Sequence, residues 1–168
     1  MKKFLKYFVL ALLVILVLFQ LFPKPARNNS TPFSSSDISR KYPVPADVAA
    51  ILKSSCYDCH SNNTVYPWYS NVQPVAMWLG NHIEDGKREI NFSEFLATPV
   101  ARQYKKMADI KEQVEGNDMP LSSYTLIHTY AKLSAAQKAV LIKWSAQVRD
   151  SIKANYPPDS LVMPKRRL

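Results

Sequence analysis

The sequence predicts an all-α domain, and three observations carry that prediction. Glycine occurs only at Gly80, Gly86 and Gly116 in 168 residues, too few for a glycine-rich phosphate loop or for the turns of a many-stranded sheet. Apolar residues recur three and four apart in several stretches, the spacing of one helix face. The last of these stretches opens on Ser134-Ala135-Ala136-Gln137, which fits a capping box. A chain of this length holds one domain with a real core, plus appendages.

Residues 1–22 read as a membrane anchor. Phe4 to Phe22 is interrupted only by Lys6 and Gln20, and at ~1.5 Å per residue such a helix spans roughly 28 Å, with Lys6 able to snorkel. No small-residue cleavage pattern follows it, so a single uncleaved transmembrane helix is expected. The basic residues Lys2, Lys3 and Lys6 outnumber Lys24 and Arg27, which puts the N-terminus in the cytoplasm and the remainder in the periplasm or otherwise outside. Residues 23–44, rich in Pro, Ser and Asn without apolar periodicity, read as a flexible tether.

The folded domain is placed at 45–154. Val48, Ile51 and Leu52 give a short helix from about Asp47 to Ser54. Trp68 and Tyr69 follow in an aromatic cluster suited to core packing or to covering a cofactor. Pro74 opens a helix carrying Val75, Trp78, Leu79, His82 and Ile83 and ending at Gly86, with His82 on its apolar face. Ser93 to Leu96 begins another helix, and Val100, Tyr104, Met107 and Val114 mark one that stops near Gly116. Val140, Leu141, Trp144, Val148 and Ile152 form the stripe of the last helix. Residues 155–168 read as a disordered basic tail.

The formal charge of +9 does not mark a nucleic-acid binder. Eight of the 22 basic residues lie in the flanks of the first apolar run and in the tail, leaving 14 against all 13 acids in residues 28–164. The body is nearly neutral, so nucleic acid is not expected as a partner.

The chemistry concentrates in Cys56-Tyr57-Asp58-Cys59-His60, which uses both cysteines of the chain. In this C-x-x-C-H arrangement each thiol adds across a haem vinyl group, and the histidine becomes the proximal iron ligand. A thioredoxin-like pair would want a βαβ setting and has no use for the histidine. A zinc site would need a fourth ligand, and no second close-spaced Cys or His pair exists. A disulfide at this spacing would strain the loop.

Cys56 to Ser61, Pro67 to Ser70, the His82-Ile83…Gly86 helix end, Asn91 to Glu94 and Met119-Pro120…Tyr124…His128 together resemble a small haem-binding domain family of bacterial envelope proteins, over about residues 45–150. The resemblance implies one covalent haem c with its iron, on a small helical domain similar to c-type cytochromes, working outside the cytoplasm. The order of C-x-x-C-H, a long middle, Met-Pro and an amphipathic helix is also similar to a class I cytochrome c, which implies Met119 as the distal ligand.

The residues themselves leave the sixth ligand open. Met119 sits in a polar loop where a core methionine has little to do, and Pro120 stiffens its backbone. His82 is the rival, giving a bis-histidine haem. Tyr124 and His128, four apart, can share a helix face near the propionates or in the hydrogen-bond shell. Met163-Pro164 repeats the Met-Pro pair in the tail, without a neighbouring helix to hold it.

The resulting expectation is a membrane-anchored monohaem c-type cytochrome that passes single electrons to redox partner proteins of the cell envelope. A peroxidase-like enzyme or a gas or redox sensor with an open sixth position is the alternative. A structural module holding zinc through the C-x-x-C-H residues is the third.

Overall fold

The structure, a computed structural model, describes residues 1–30 and 34–164. It contains α1 (Lys2–Phe19), α2 (Ala46–Ser55), α3 (Tyr57–His60), α4 (Val75–Glu89), α5 (Val100–Glu115), α6 (Ser122–Ile127) and α7 (Ala135–Asn155), joined by short 3₁₀ turns. Among the described residues there is no strand, only an isolated antiparallel bridge between Asn29 and Asn63. The all-helical expectation therefore holds for the domain.

The core forms where α7 lies along α5. Ser134 accepts from the Gln137 peptide N–H while the Gln137 side chain accepts from the Ser134 N–H, closing the capping box the sequence predicts. From that start Leu141, Trp144, Val148 and Ile152 are buried on one face. They meet Met107 and Val114 of α5 and Val48, Ile51 and Leu52 of α2. Each such side chain stabilises the fold by about 1.5–3 kcal/mol. Trp144 Nε1 donates to the Pro43 carbonyl at 2.9 Å, so its one polar atom is satisfied.

The expected transmembrane helix is not there. No helix among the described residues is long and apolar enough to cross a membrane. Lys2, Lys3 and Lys6 all lie inside α1, and the helix ends at Phe19 rather than Phe22. Its uncharged part, Tyr7–Phe19, is only about 20 Å long at ~1.5 Å per residue, against the ~30 Å of a bilayer core. A single-pass placement in the cytoplasmic membrane loses its support, and with it the assignment of the domain to the periplasmic side.

What ends α1 is a polar clamp. Gln20 Nε2 donates to the Gln73 carbonyl and the Gln73 N–H donates to Gln20 Oε1, both at 3.0 Å, while the buried Gln73 side chain donates to Pro23 O at 3.1 Å. The described residues of 23–44, expected as a tether, are laid on the domain. Arg27 stacks 4.1 Å over Tyr66, Asn28 bonds to Ser61 O and Thr64 Oγ1, and Ile38 and Tyr42 are buried.

At the other end, the 3₁₀ turn Pro158–Leu161 packs on α5, with Tyr156 and Leu161 against the core. The tail expected to be disordered is thus ordered through 164. Its basic end, residues 165–168, lies outside the described residues.

Candidate functional site

The C-x-x-C-H residues form a tight turn leaving α2. Cys56 caps that helix, and its carbonyl accepts from the Cys59 and His60 peptide N–H groups at 3.1 and 2.9 Å. The turn is pressed against α4 at Gly86, where the missing Cβ decides the geometry. A methyl group there would lie 2.7 Å from Cys59 O and 3.1 Å from Cys59 Cβ.

That close approach orients His60. Its Nδ1 lies 2.8 Å from Gly86 O and 3.0 Å from Ile90 O. Two acceptors on one nitrogen fix Nδ1 as the protonated one, so Nε2 carries the free lone pair. Burial lowers the pKa of His60 in spite of the two carbonyls, leaving a neutral imidazole at pH 7. A ligating histidine needs this arrangement: the second nitrogen held by carbonyls, the first free for a metal.

The loop beyond His60 is pinned by a polar knot. Asn62 donates to Glu94 and accepts from Asn91, both at 2.7 Å, and the Asn62 N–H donates to Ser93 Oγ at 3.2 Å. Asp58, between the two cysteines, accepts from the Val65 N–H at 3.0 Å and from the Tyr124 hydroxyl at 2.6 Å. The motif is therefore bonded to α4, to the Asn91–Glu94 segment and to α6.

A cavity of about 610 Å³ opens beside it, lined by Cys56, Cys59, His60, Phe92, Met119 and Tyr124 among others. Its size falls within the range of cofactor pockets, ~300–1,000 Å³, and apolar walls with few convergent polar groups are their usual lining. Lys105 and Lys106 are the ammonium groups at its edge. Both cysteines are free. Burial, followed by the neighbouring Cys59, pushes the Cys56 thiol up to about 12, and burial together with Asp58 pushes Cys59 up to about 11. They are neutral thiols at pH 7. No group of three or more His, Cys, Asp or Glu side chains among the described residues could hold a metal ion. The donor set and the apolar cavity together fit a flat apolar macrocycle with one axial imidazole.

The structure sorts the other candidates. Met119 and His82 both line the cavity. Met119 comes from the loop between α5 and α6, where its N–H and that of Asp118 donate to Gln113 O at 3.2 and 3.0 Å. His82 comes from α4, its ring 4.2 Å from Trp78 and its Nδ1 2.9 Å from Trp78 O. Tyr124 lines the cavity, while His128 stands behind it, stacked at 4.4 Å. Trp68, expected to cover the cofactor, is 79% exposed and outside the cavity. Met163 is exposed.

The sequence reading had not singled out Gly86 as a contact, Ile90 as an acceptor, or Asp58, Lys105 and Lys106 as site residues. The only advance signal was position: Asp58 inside the motif, and the lysines half a turn from the Met107 stripe.

The model of the haem-binding domain family matches residues 14–147. The chain belongs to that family. The match takes in the end of α1 and the segment 23–44. Comparison with curated proteins and with solved structures finds no match.

Proposed function

We propose that this haem-binding domain attaches its haem covalently through Cys56 and Cys59, with His60 as proximal and Met119 as distal iron ligand, and that it carries single electrons. The observation that supports this reading best is the His60 ring, its Nδ1 held by Gly86 O and Ile90 O so that Nε2 is free beside two unpaired thiols in an apolar cavity. Bound haem would supply the one-electron couple. The chain's own part is to exclude water, hold the axial donors and tune the potential.

The distal assignment rests on which element carries each donor. α4 already supports the proximal ring, and His82 lies one turn before Gly86 on that same helix. Met119 belongs to the loop after α5, a separate element, as a ligand for the opposite face must. A soft thioether there also raises the potential relative to a second imidazole. Lys105 and Lys106, which line the cavity, would exchange their pairing with Glu89 and Asp109 for the haem carboxylates, and redox partner proteins are the expected partners.

The test is a denaturing extraction of protein made alongside haem-attachment machinery. Haem should stay with the polypeptide, and replacing both Cys56 and Cys59 with Ala should release it. Stoichiometric zinc with no haem would overturn the reading. Carbon monoxide binding fast and completely to the unmutated reduced protein would mean an open sixth position and would replace electron carriage with a peroxidase-like or sensing role.

A further inference from the structure

Outside the cavity, the structure holds a cluster of hydrogen-bonded aromatic groups that haem binding does not require. Tyr69 Oη lies 2.5 Å from His128 Nε2, and His128 Nδ1 lies 2.9 Å from Tyr130 Oη. The Tyr124 hydroxyl, on the ring stacked against His128, donates to Asp58 Oδ2 at 2.6 Å. With the His128 proton on Nδ1, donated to Tyr130 Oη, Nε2 is the acceptor for the Tyr69 hydroxyl.

We propose that Tyr69 and His128 form a redox-active pair, in which one-electron oxidation of Tyr69 passes its phenolic proton to His128 Nε2 and leaves a tyrosyl radical at the surface beside Trp68. The Oη–H bond breaks, an Nε2–H bond forms, and the electron goes to a diffusible one-electron oxidant such as a peroxyl radical, which leaves as the peroxide anion. A phenol oxidised without a base at hand becomes a strongly acidic cation radical. A base already at hydrogen-bond distance removes that cost.

The rings also make a continuous path. Tyr124, in the cavity wall, stacks on His128 at 4.4 Å with 19° between planes; His128 lies 6.1 Å from Tyr69, and Tyr69 5.9 Å from the exposed Trp68. A small phenolic reductant meeting Trp68 and Tyr69 restores the pair: it supplies the electron and releases its own proton to water, while His128 returns the first proton to Tyr69.

The experiment uses the full chain as isolated, oxidised by photoexcited tris(bipyridine)ruthenium with persulfate as electron acceptor and followed by electron paramagnetic resonance. A tyrosyl signal is expected that Tyr69→Phe removes and that Tyr7→Phe, on exposed α1, leaves unchanged. His128→Gln should slow its formation on the order of a hundredfold, the scale of a lost general base, and abolish its solvent deuterium effect. In the unmutated chain, spin trapping and peptide mapping should place the adduct on Tyr69, a readout that does not depend on any variant folding. An adduct found only elsewhere, or a His128→Gln chain oxidised as fast as the unmutated one, overturns the proposal. Because the oxidant is supplied from outside, a failure of haem attachment would not by itself remove the signal.

Discussion

The two walls of the cavity are held in different ways. On the His60 wall, the motif turn sits against Gly86 at a distance no side chain could occupy, and the imidazole is fixed by two backbone carbonyls of α4. On the Met119 wall, the loop after α5 hangs by two N–H groups on the single carbonyl of Gln113. One proposed ligand is set by backbone atoms before any cofactor arrives. The other sits on a side chain with three rotatable bonds, carried by a short loop, and is free to adjust. Damage to the first wall should therefore abolish the site, and damage to the second should only change its character.

The largest effect is expected from Gly86→Ala. Alanine favours a helix over glycine by about 1 kcal/mol, but the added methyl would meet Cys59 O at 2.7 Å, a backbone atom that cannot move aside. Overpacking of this kind costs about 1–3 kcal/mol, so α4 should shift off the motif and take both carbonyls away from His60. Chemical denaturation should show the loss in stability, and haem retained after maturation should fall to a small fraction. Unchanged stability together with full haem content would show that the close approach does not matter.

The second effect is spectroscopic. Met119→Ala should keep the haem, lose the methionine–iron charge-transfer band, lower the potential and open the reduced form to carbon monoxide. His82→Ala should leave the band intact, since its ring rests on Trp78 and on the helix that already serves His60. The reverse pattern in the two spectra would make the site bis-histidine and put the adaptable ligand on the α4 wall.

Why the two walls were not equally readable follows from what each depends on. The motif and the α7 stripe are local patterns: two thiols and a histidine within five residues, and Leu141, Trp144, Val148 and Ile152 behind a capping box. Gly86 read only as a helix end, because its partner, Cys59, is far away in sequence and a contact leaves no periodicity. Ile38 and Tyr42 looked like isolated apolar residues in a Ser- and Pro-rich stretch, yet both are buried in the core. Trp68 erred the other way: an aromatic residue near a cofactor motif says nothing about which way it faces. The α1 reading counted hydrophobicity from Phe4 to Phe22 but could not see the Gln20–Gln73 clamp that follows the end of the helix at Phe19.

The smallest effect concerns what ties the walls together. Lys106 of α5 reaches Glu89, the last residue of α4, and lies 3.1 Å from Asp109, with its own side chain only 13% exposed. The Lys106 hydrogen bond holds the Glu89 carboxyl below its usual value. Burial would raise Asp109, but Lys105 and Lys106 outweigh it and hold that carboxyl low as well. Both folded values being lowered, the contribution is present above the ordinary carboxylate range, about pH 4–4.5, and is lost as pH falls through the depressed values. Glu89 is largely exposed, and Lys105 still bonds Asp109 at 2.8 Å when Lys106 is gone, so Lys106→Ala should cost no more than about 1 kcal/mol. Thermal melts of the two proteins should differ by about 2–4 °C at pH 7 and converge below pH 3, with the gap narrowing in high salt. A gap that persists at low pH would assign the role of Lys106 to the packing of its aliphatic stem between α4 and α5 rather than to its charge.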